Sequence, residues 1–455
     1  VKTLRALFRP RGGVHPRYWK DLTSASPIER LPPSASALSV STSQHLGAPA
    51  KPLVKKGDAV LRGQPIAEPS GFVSAWIHAP ASGTVKNIAS RLTASGAWAP
   101  AIELEPDGQN RACEPLPAIA DWAAAGPATL VDRVMKAGIV GMGGAGFPTH
   151  VKLSPPPGKT IHTLIINGAE CEPYLTADHR LMVEQAAAIW QGALILRRIL
   201  GAGALRFAVE SNKPEAIAAL QNVMRDQEGD VELVILKALY PQGAEKQLIY
   251  SVTRAEVPSG GLPMDVGCLV ENVGTAAAVA NAVLRGIPLT ERVITVTGSG
   301  IAHPRNLLVP VGTPFRDLIS FCGGTRGDIG KVICGGPMMG ITQSSADTPI
   351  TKISSGLLVL PRSEVRNYIS MPCISCGRCV AACPAGLLPC TLSEAMEAEK
   401  LELAEELNVT DCIECGCCAY ECPARRPLVQ HMRRGKAAAL ARRRQSAEKK
   451  KEQAA

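Results

Sequence analysis

Aromatic residues are scarce in this 455-residue chain: five Trp, six Tyr and six Phe, 4% of the total. That argues against a protein that grips nucleic acid by stacking bases on rings. Long apolar runs are missing too. No stretch reaches the roughly 18 uncharged apolar residues that a membrane-crossing helix needs; the run from Trp190 to Leu200 is broken by Arg197 and Arg198. The first residues lack the apolar core of a signal peptide, so the expected location is the cytoplasm. There, fifteen cysteines are not to be read as disulfides.

Net charge is absent from most of the chain. Residues 425–455 hold eleven Lys/Arg against two Glu, which accounts for the whole excess of +9. A basic, Ala-rich end of this kind reads first as a solvated or helical tail and, more sharply, as a surface for anionic lipid or an acidic partner. No nucleic-acid partner is expected.

Gly and Pro are plentiful, 42 and 36 residues, which suits short strands and tight turns. Residues 1–120 carry β-like runs. Lys55-Lys56-Gly57-Asp58-Ala59-Val60, Gly63-Gln64-Pro65-Ile66 and Ala79–Val85 resemble the barrel-sandwich fold of biotinyl and lipoyl carriers. No Lys lies between Lys56 and Lys86 to serve as a swinging arm. Residues 121–255 alternate strand and helix patterns: strands at Thr163–Ile166, Arg206–Glu210 and Val231–Leu236, helices at Glu184–Leu200 and Pro214–Arg225. This predicts a Rossmann-like α/β layer with a largely parallel sheet. Residues 256–345 predict a small α+β unit of β-grasp size, with an Ala-rich helix from Asn272. A cysteine module over 365–430 and the basic tail, 431–455, complete a multidomain α/β and α+β chain.

Ten of the cysteines fall between Cys373 and Cys422. Cys373-x2-Cys376-x2-Cys379-x3-Cys383-Pro384 is followed by Cys412-x2-Cys415-x2-Cys418-x3-Cys422-Pro423. This is bacterial ferredoxin spacing, present twice. Three thiolates on a tight loop hold one [4Fe–4S] cluster, and the fourth, before Pro, reaches the other cluster. Cys373, Cys376, Cys379 and Cys422 are thus expected to hold one, and Cys412, Cys415, Cys418 and Cys383 the other. Zinc is the alternative, though zinc sites seldom use two such runs. Cys390 and Cys417 lie outside the pattern and read as packing residues.

Residues 141–146, Gly-Met-Gly-Gly-Ala-Gly, fit G-x-G-x-x-G. A helical stretch, Leu130–Lys136, precedes them and Phe147-Pro148 follow, so this is not the usual strand–turn–helix nucleotide fingerprint. A glycine wall approached closely by a flat or phosphorylated ligand fits better. Gly143–Lys152 resembles the flavin loop of the NADH-oxidising flavoprotein subunit of respiratory complex I. Asn167-Gly168-Ala169-Glu170-Cys171-Glu172-Pro173 resembles that family's second flavin/nicotinamide motif. With Gly12-Gly13-Val14-His15-Pro16 and the ferredoxin module, the whole is similar to the RnfC family of the Rnf electron-transport complex.

That resemblance implies FMN in the α/β domain, NAD(H) stacked on it, and a β-grasp (SLBB-like) domain before the clusters. By position it implies that Gly143, Gly144 and Gly146 back the flavin, Lys152 meets its phosphate or ring edge, and Asn167 and Glu170 touch it. Glu172 would meet the nicotinamide nucleotide and Phe147 would stack on it. Tyr240 and Gly243 would form a further flavin-side loop, and Asn272 would approach the phosphate. Ala169 and Ala244 stand where the complex I protein has carboxylates. On an extended segment Glu170 and Glu172 would face one side. The function implied is a peripheral subunit on the cytoplasmic side of the inner membrane, passing electrons between NAD(H), FMN and two clusters. Its partners would be the other subunits and a ferredoxin or iron–sulfur subunit. The alternative is a cluster-only relay that binds no nicotinamide.

Overall fold

A computed structural model describes residues 2–6, 8–33, 36–225, 229–365 and 371–454, with side chains placed as far as 446. Lys449, Lys450 and Lys451 of the basic tail lie outside the described side chains. A five-stranded parallel sheet forms the centre, in the order Lys2–Arg5, Val231–Leu236, Ala204–Glu210, Thr163–Gly168, Cys268–Asn272. Its inner strands are runs of Ile, Leu and Val, as a sheet covered on both faces requires. Helices Pro127–Lys136, Ala186–Leu200 and Val273–Arg285 pack on one face, and helix Glu245–Thr253 covers the other.

The expected boundary at residue 255 is corrected by this sheet. Strand Cys268–Asn272 pairs with Thr163–Gly168, from Thr163 opposite Cys268 to Asn167 opposite Asn272. Five residues gave the periodicity too little length to separate this strand from the helix that follows it. The helix expected over Glu184–Leu200 runs over Ala186–Leu200, and a further helix, Ala177–Glu184, precedes it across Gln185.

The two strands of the first thirty residues pair outside the barrel sandwich. Lys2–Arg5 joins the parallel sheet, and Ile28–Arg30 is the edge strand of a six-stranded mixed sheet. That second sheet runs Ile341–Thr342, Ile329–Cys334, Gly356–Pro361, Glu291–Thr297, Arg305–Pro310, Ile28–Arg30, so it also extends past the expected end at 345. The barrel sandwich itself is two small antiparallel sheets between Leu38 and Pro106, closed over Val40, Val60, Ile66, Ile77, Val85 and Ile102.

Lys352 fastens three of these units. Its ammonium donates to the carbonyls of Trp76 in the barrel and Gly138 below the glycine loop, both at 2.7 Å. Burial without a carboxylate lowers its pKa to about 7. The unfolded chain therefore holds more protons between about pH 7 and 10, and stability rises with pH over that window. Lys352→Met is expected to flatten this rise, checked by denaturant titrations at pH 7 and 9; an unchanged slope would locate the effect elsewhere.

The basic end is helical over Leu428–Ala454, as one of its two readings expected, but its first turns are packed rather than solvated. Met432 and Ala439 are buried in the cysteine module. Arg433 and Lys436 pair with Glu414, Arg434 with Glu399 and Arg442 with Glu402. Lys436 also donates to the carbonyl of Cys412 at 2.8 Å. The spacing of Glu399, Glu402 and Glu414 before the basic run was the available signal.

Candidate redox site

The strand order reverses at Thr163–Gly168. The next two strands run away on one side, and Cys268–Asn272 returns to the other. Open α/β sheets bind ligands at carboxyl ends of strands beside such a reversal. Asn167 and Asn272 stand opposite each other there. Asn272 caps helix Val273–Arg285 by accepting from the Gly274 amide at 2.8 Å, and its amide donates to Asp178 at 2.6 Å. Burial, then the nearby Glu170, raises the Asp178 carboxyl to about 6.

The glycine loop lies across this helix N-terminus. The Met142 amide donates to Thr275 Oγ1 at 2.9 Å, and a Cβ on Gly143 would lie 3.5 Å from that of Asn272. The buried Arg292 holds the loop from the second sheet, donating to the Met142 carbonyl at 3.1 Å. Gly146 has φ +65°, and a Cβ there would come within 2.5 Å of Ile353. Gly144 has φ +113° and faces open space. Gly143, Gly144 and Ala145 are exposed, and their amides donate to no acceptor among the described residues. Free amides at a helix N-terminus suit an anion such as a phosphate, and a bare glycine bed suits a flat ring. The residues present therefore fit FMN. Phe147, half-buried, borders the loop.

The other expected residues are more committed than the sequence suggested. Lys152 sits between Glu271 at 3.5 Å and Glu245 at 3.6 Å, and donates to the Val270 carbonyl. Burial opposes its charge, but the two carboxylates prevail and its pKa is raised. Glu170 and Glu172 do not share a face. Glu170 has φ +45°, which turns the chain. Its carboxylate accepts from the amides of Asp178 and His179 at 2.7 and 3.1 Å, capping helix Ala177–Glu184. The Glu172 carboxylate instead accepts from the amides of Met338 and Met339, at 2.6 and 3.1 Å. Burial raises its pKa against the pull of those amides.

Two lysines that the sequence did not flag hold the 169–175 loop. Lys20 donates to the carbonyls of Glu170, Glu172 and Leu175. Lys213, almost wholly buried, donates to the carbonyl of Ala169 and to Glu210 at 3.0 Å. A Glu ending the apolar strand Ala204–Glu210, three residues before a Lys, was the sequence signal for the second.

Tyr240 and Gly243 link the two halves of the site. Asn167 donates to the Gly243 carbonyl at 2.9 Å, and the Gly243 amide lies 3.4 Å from Cys171 Sγ. Tyr240 turns away from the glycine loop: its buried hydroxyl donates to the Cys415 carbonyl at 2.7 Å. Its backbone pairs with Val14, whose neighbour Gly13 donates to the Ala382 carbonyl at 3.0 Å. Too little space remains at Gly12 for a side chain, since a Cβ would come within 2.7 Å of Cys383.

The eight cysteines gather around two cavities. One is lined by Cys412, Cys415, Cys418 and Cys383. The other, wider, is lined by Cys373, Cys376, Cys379 and Cys422, with Cys376 exposed at its rim. Among the described residues no three such groups converge on the point a single metal ion would occupy. Each run is bent alike: Ser375 and Gly377 have φ +53° and +71°, Glu414 and Gly416 +57° and +82°. These left-handed residues curl the loop around its cavity. The amides of Ser375 and Glu414 point at Cys373 and Cys412 sulfurs, each at 3.4 Å. Four soft thiol donors around one space fit an iron–sulfur cluster.

Comparison with known proteins accords with this geometry. The chain matches the RnfC barrel sandwich hybrid domain over residues 8–109 and the Nuo51 FMN-binding domain over 134–281. It matches the SLBB domain over 293–342 and the 4Fe-4S dicluster domain over 367–423. The C-subunit of the proton-translocating ferredoxin:NAD(+) oxidoreductase complex of Clostridium ljungdahlii is 47% identical, covering 93% of this chain and 92% of that protein. Its counterpart in the Na(+)-translocating complex of Acetobacterium woodii is 43% identical, over 95% and 98%. The counterpart in the ion-translocating oxidoreductase complex of Rhodobacter capsulatus is 44% identical, over 94% and 84%. Among solved structures, an NAD+-reducing [NiFe]-hydrogenase in the H2-reduced state matches with a TM-score of 0.49 and 20% identity, over 71% of this chain and 64% of that one.

Proposed function

The chain belongs to the RnfC family of ion-translocating ferredoxin:NAD(+) oxidoreductase complexes, and on that premise we propose how its own residues serve electron transfer. It is an electron-transfer subunit of such an oxidoreductase, with FMN, NAD(H) and [4Fe–4S] clusters as its cofactors. No described helix is long and apolar enough to cross a membrane, and in our reading the chain joins the membrane-associated complex peripherally. The side it occupies in our reading is the cytoplasmic one. There, NADH or NAD+ and a ferredoxin or iron–sulfur subunit meet it. The cluster-only alternative loses its main support, because the glycine bed and free amides persist despite Ala169 and Ala244.

When bound, FMN exchanges an electron pair with nicotinamide and single electrons with the clusters. Gly143, Gly144 and Ala145 would receive the flavin and its phosphate, with Asn167 and Asn272 beside them. Lys152 supports this floor through Glu271. Glu170 acts as a cap that keeps Asp178 facing Asn272. Glu172 is available to a nucleotide only once the Met338–Met339 amides release it. Cys412, Cys415, Cys418 and Cys383 would hold the nearer cluster, and Cys373, Cys376, Cys379 and Cys422 the outer one. The observation that carries this reading is Tyr240. One turn puts Gly243 against Asn167 and the Tyr240 hydroxyl on Cys415.

Gly144→Val tests it, because the new side chain would occupy the open space above the loop. The expected result is protein that keeps its iron but retains little FMN, and whose clusters no longer reduce when NADH is added anaerobically. Full FMN content with normal NADH-driven cluster reduction would place the flavin elsewhere.

A further inference from the structure

The turn that holds Glu172 is itself held from the cysteine module. It joins strands Ile329–Cys334 and Ile341–Thr342 of the second sheet, and the Gly340 amide closes it by donating to the Gly336 carbonyl at 3.0 Å. On one side the turn covers the half-buried Glu172. The Met338 and Met339 amides both donate to its Oε1, and a Cβ on Gly336 would come within 2.1 Å of its Cγ. The contact therefore pins the stem of the side chain as well as its tip. On the other side the turn rests on the second cysteine loop, where a Cβ on Gly416 would come within 2.9 Å of the Met338 carbonyl oxygen. Arg433, from helix Leu428–Ala454, donates to the Met339 carbonyl at 3.2 Å and to Glu414, between Cys412 and Cys415, at 3.1 Å. One guanidinium thus ties the turn to the cysteine loop, a task that its planar fork suits.

We infer that Gly336 and Arg433 are positioning residues of the nicotinamide site: they keep the Met338–Met339 turn closed on Glu172 and so restrain binding of the nicotinamide nucleotide. The inference rests on the reading of Glu172 as a nucleotide contact. A nucleotide that needs this carboxylate must first draw it away from two amides. Only the open arrangement is competent, so the apparent affinity is reduced by the fraction of molecules that are open. Gly336 permits closure because no side chain would fit between the turn and Glu172. Arg433 favours closure by bridging the turn to Glu414. Its side chain is 37% exposed, so its share is the smaller of the two. By linkage, a nucleotide that opens the turn also loosens its hold on the cysteine loop. Occupancy of the nucleotide site is thereby felt beside Cys412 and Cys415.

The test uses the full chain with FMN and clusters in place, comparing Gly336→Ala, Arg433→Gln, Arg433→Lys and Glu172→Gln with the parent. The readouts are KM and kcat for NADH-driven reduction of ferricyanide, beside FMN and iron content. Gly336→Ala, whose methyl would push the turn off Glu172, should lower KM by about tenfold, as loss of one hydrogen bond to a charged group implies. Arg433→Gln should lower it by roughly two- to fivefold, the range of an exposed ion pair. Arg433→Lys, which still donates to the Met339 carbonyl, should fall between Arg433→Gln and the parent. In all three, kcat, FMN and iron should match the parent, since a change in KM alone marks binding. Glu172→Gln should raise KM, and in that background neither Gly336→Ala nor Arg433→Gln should lower it, because both act through Glu172. The two positions lie on different units, so a folding defect in one variant leaves the other to decide. A KM unchanged or raised in both Gly336→Ala and Arg433→Gln, with Glu172→Gln raising it, would overturn the inference. A KM unchanged in Glu172→Gln would instead sink the reading of Glu172 on which the inference rests.

Discussion

Cys383→Ala is expected to abolish the same cluster as Cys418→Ala, and the double variant is expected to lose no more iron than either single one. Cys383 belongs to the first run in sequence, but it lines the cavity formed by Cys412, Cys415 and Cys418. With two four-iron sites the parent should carry about eight irons and each single variant about four. Cys422→Ala and Cys379→Ala should behave as a second such pair, removing the other cluster. Combining one member from each pair should leave almost no iron. Iron analysis on the singles and doubles decides the matter. If Cys383→Ala and Cys379→Ala proved to remove one and the same cluster, each run would be serving its own site and the crossed assignment would be wrong.

A comparably large effect is expected in the flavin domain from Lys213→Met. Lys213 and Glu210 form an ion pair at 3.0 Å with both side chains buried. Removing one partner of such a pair leaves the other charge uncompensated, which costs about 3–5 kcal/mol. Hydrogen exchange should register this as faster opening of strands Ala204–Glu210 and Thr163–Gly168. FMN retention should also fall, because the Ala169 carbonyl loses its donor. The double replacement Lys213→Met with Glu210→Leu should recover most of the stability, since two apolar side chains replace the pair. A single variant that exchanges at the parent's rate would show that water reaches Glu210 and screens it.

Legibility followed the length over which each signal repeats. The cysteine runs were readable because ligand spacing is local: three thiolates on one loop need fixed separations, and each run supplies them within eleven residues. Strand Val231–Leu236 matched its expected bounds, since a short apolar run between turns leaves one interpretation. Strand Cys268–Asn272 was not among the expected elements, because the expected helix begins only at Asn272 and the run before it is too short to show a period. The glycine motif lies against Asn272 at the carboxyl end of the sheet, yet the direction of each nearby side chain depended on partners far along the chain. Glu172 turns to Met338 and Met339, Glu170 to the amides of Asp178 and His179, and Tyr240 to Cys415. No local periodicity encodes such contacts. The solvated reading of the basic tail, unlike the helical one, missed its packing for a related reason, since counting charge says nothing of carboxylates opposite it.

The opening thirty residues touch three units: Lys2–Arg5 zips onto Val231–Leu236, Gly13 and Val14 bridge Ala382 and Tyr240, and Ile28–Arg30 edges the second sheet beside Arg305–Pro310. A ribosome delivers this segment before any of the surfaces it docks on, and the last of them, at Ala382, emerges only when most of the chain has been synthesised. Until then its edge strands have nothing to pair with, and exposed strand edges invite association with other chains. Nascent chains should therefore draw on holding chaperones late into translation, and the segment acts as a closing strap that is threaded early and fastened last.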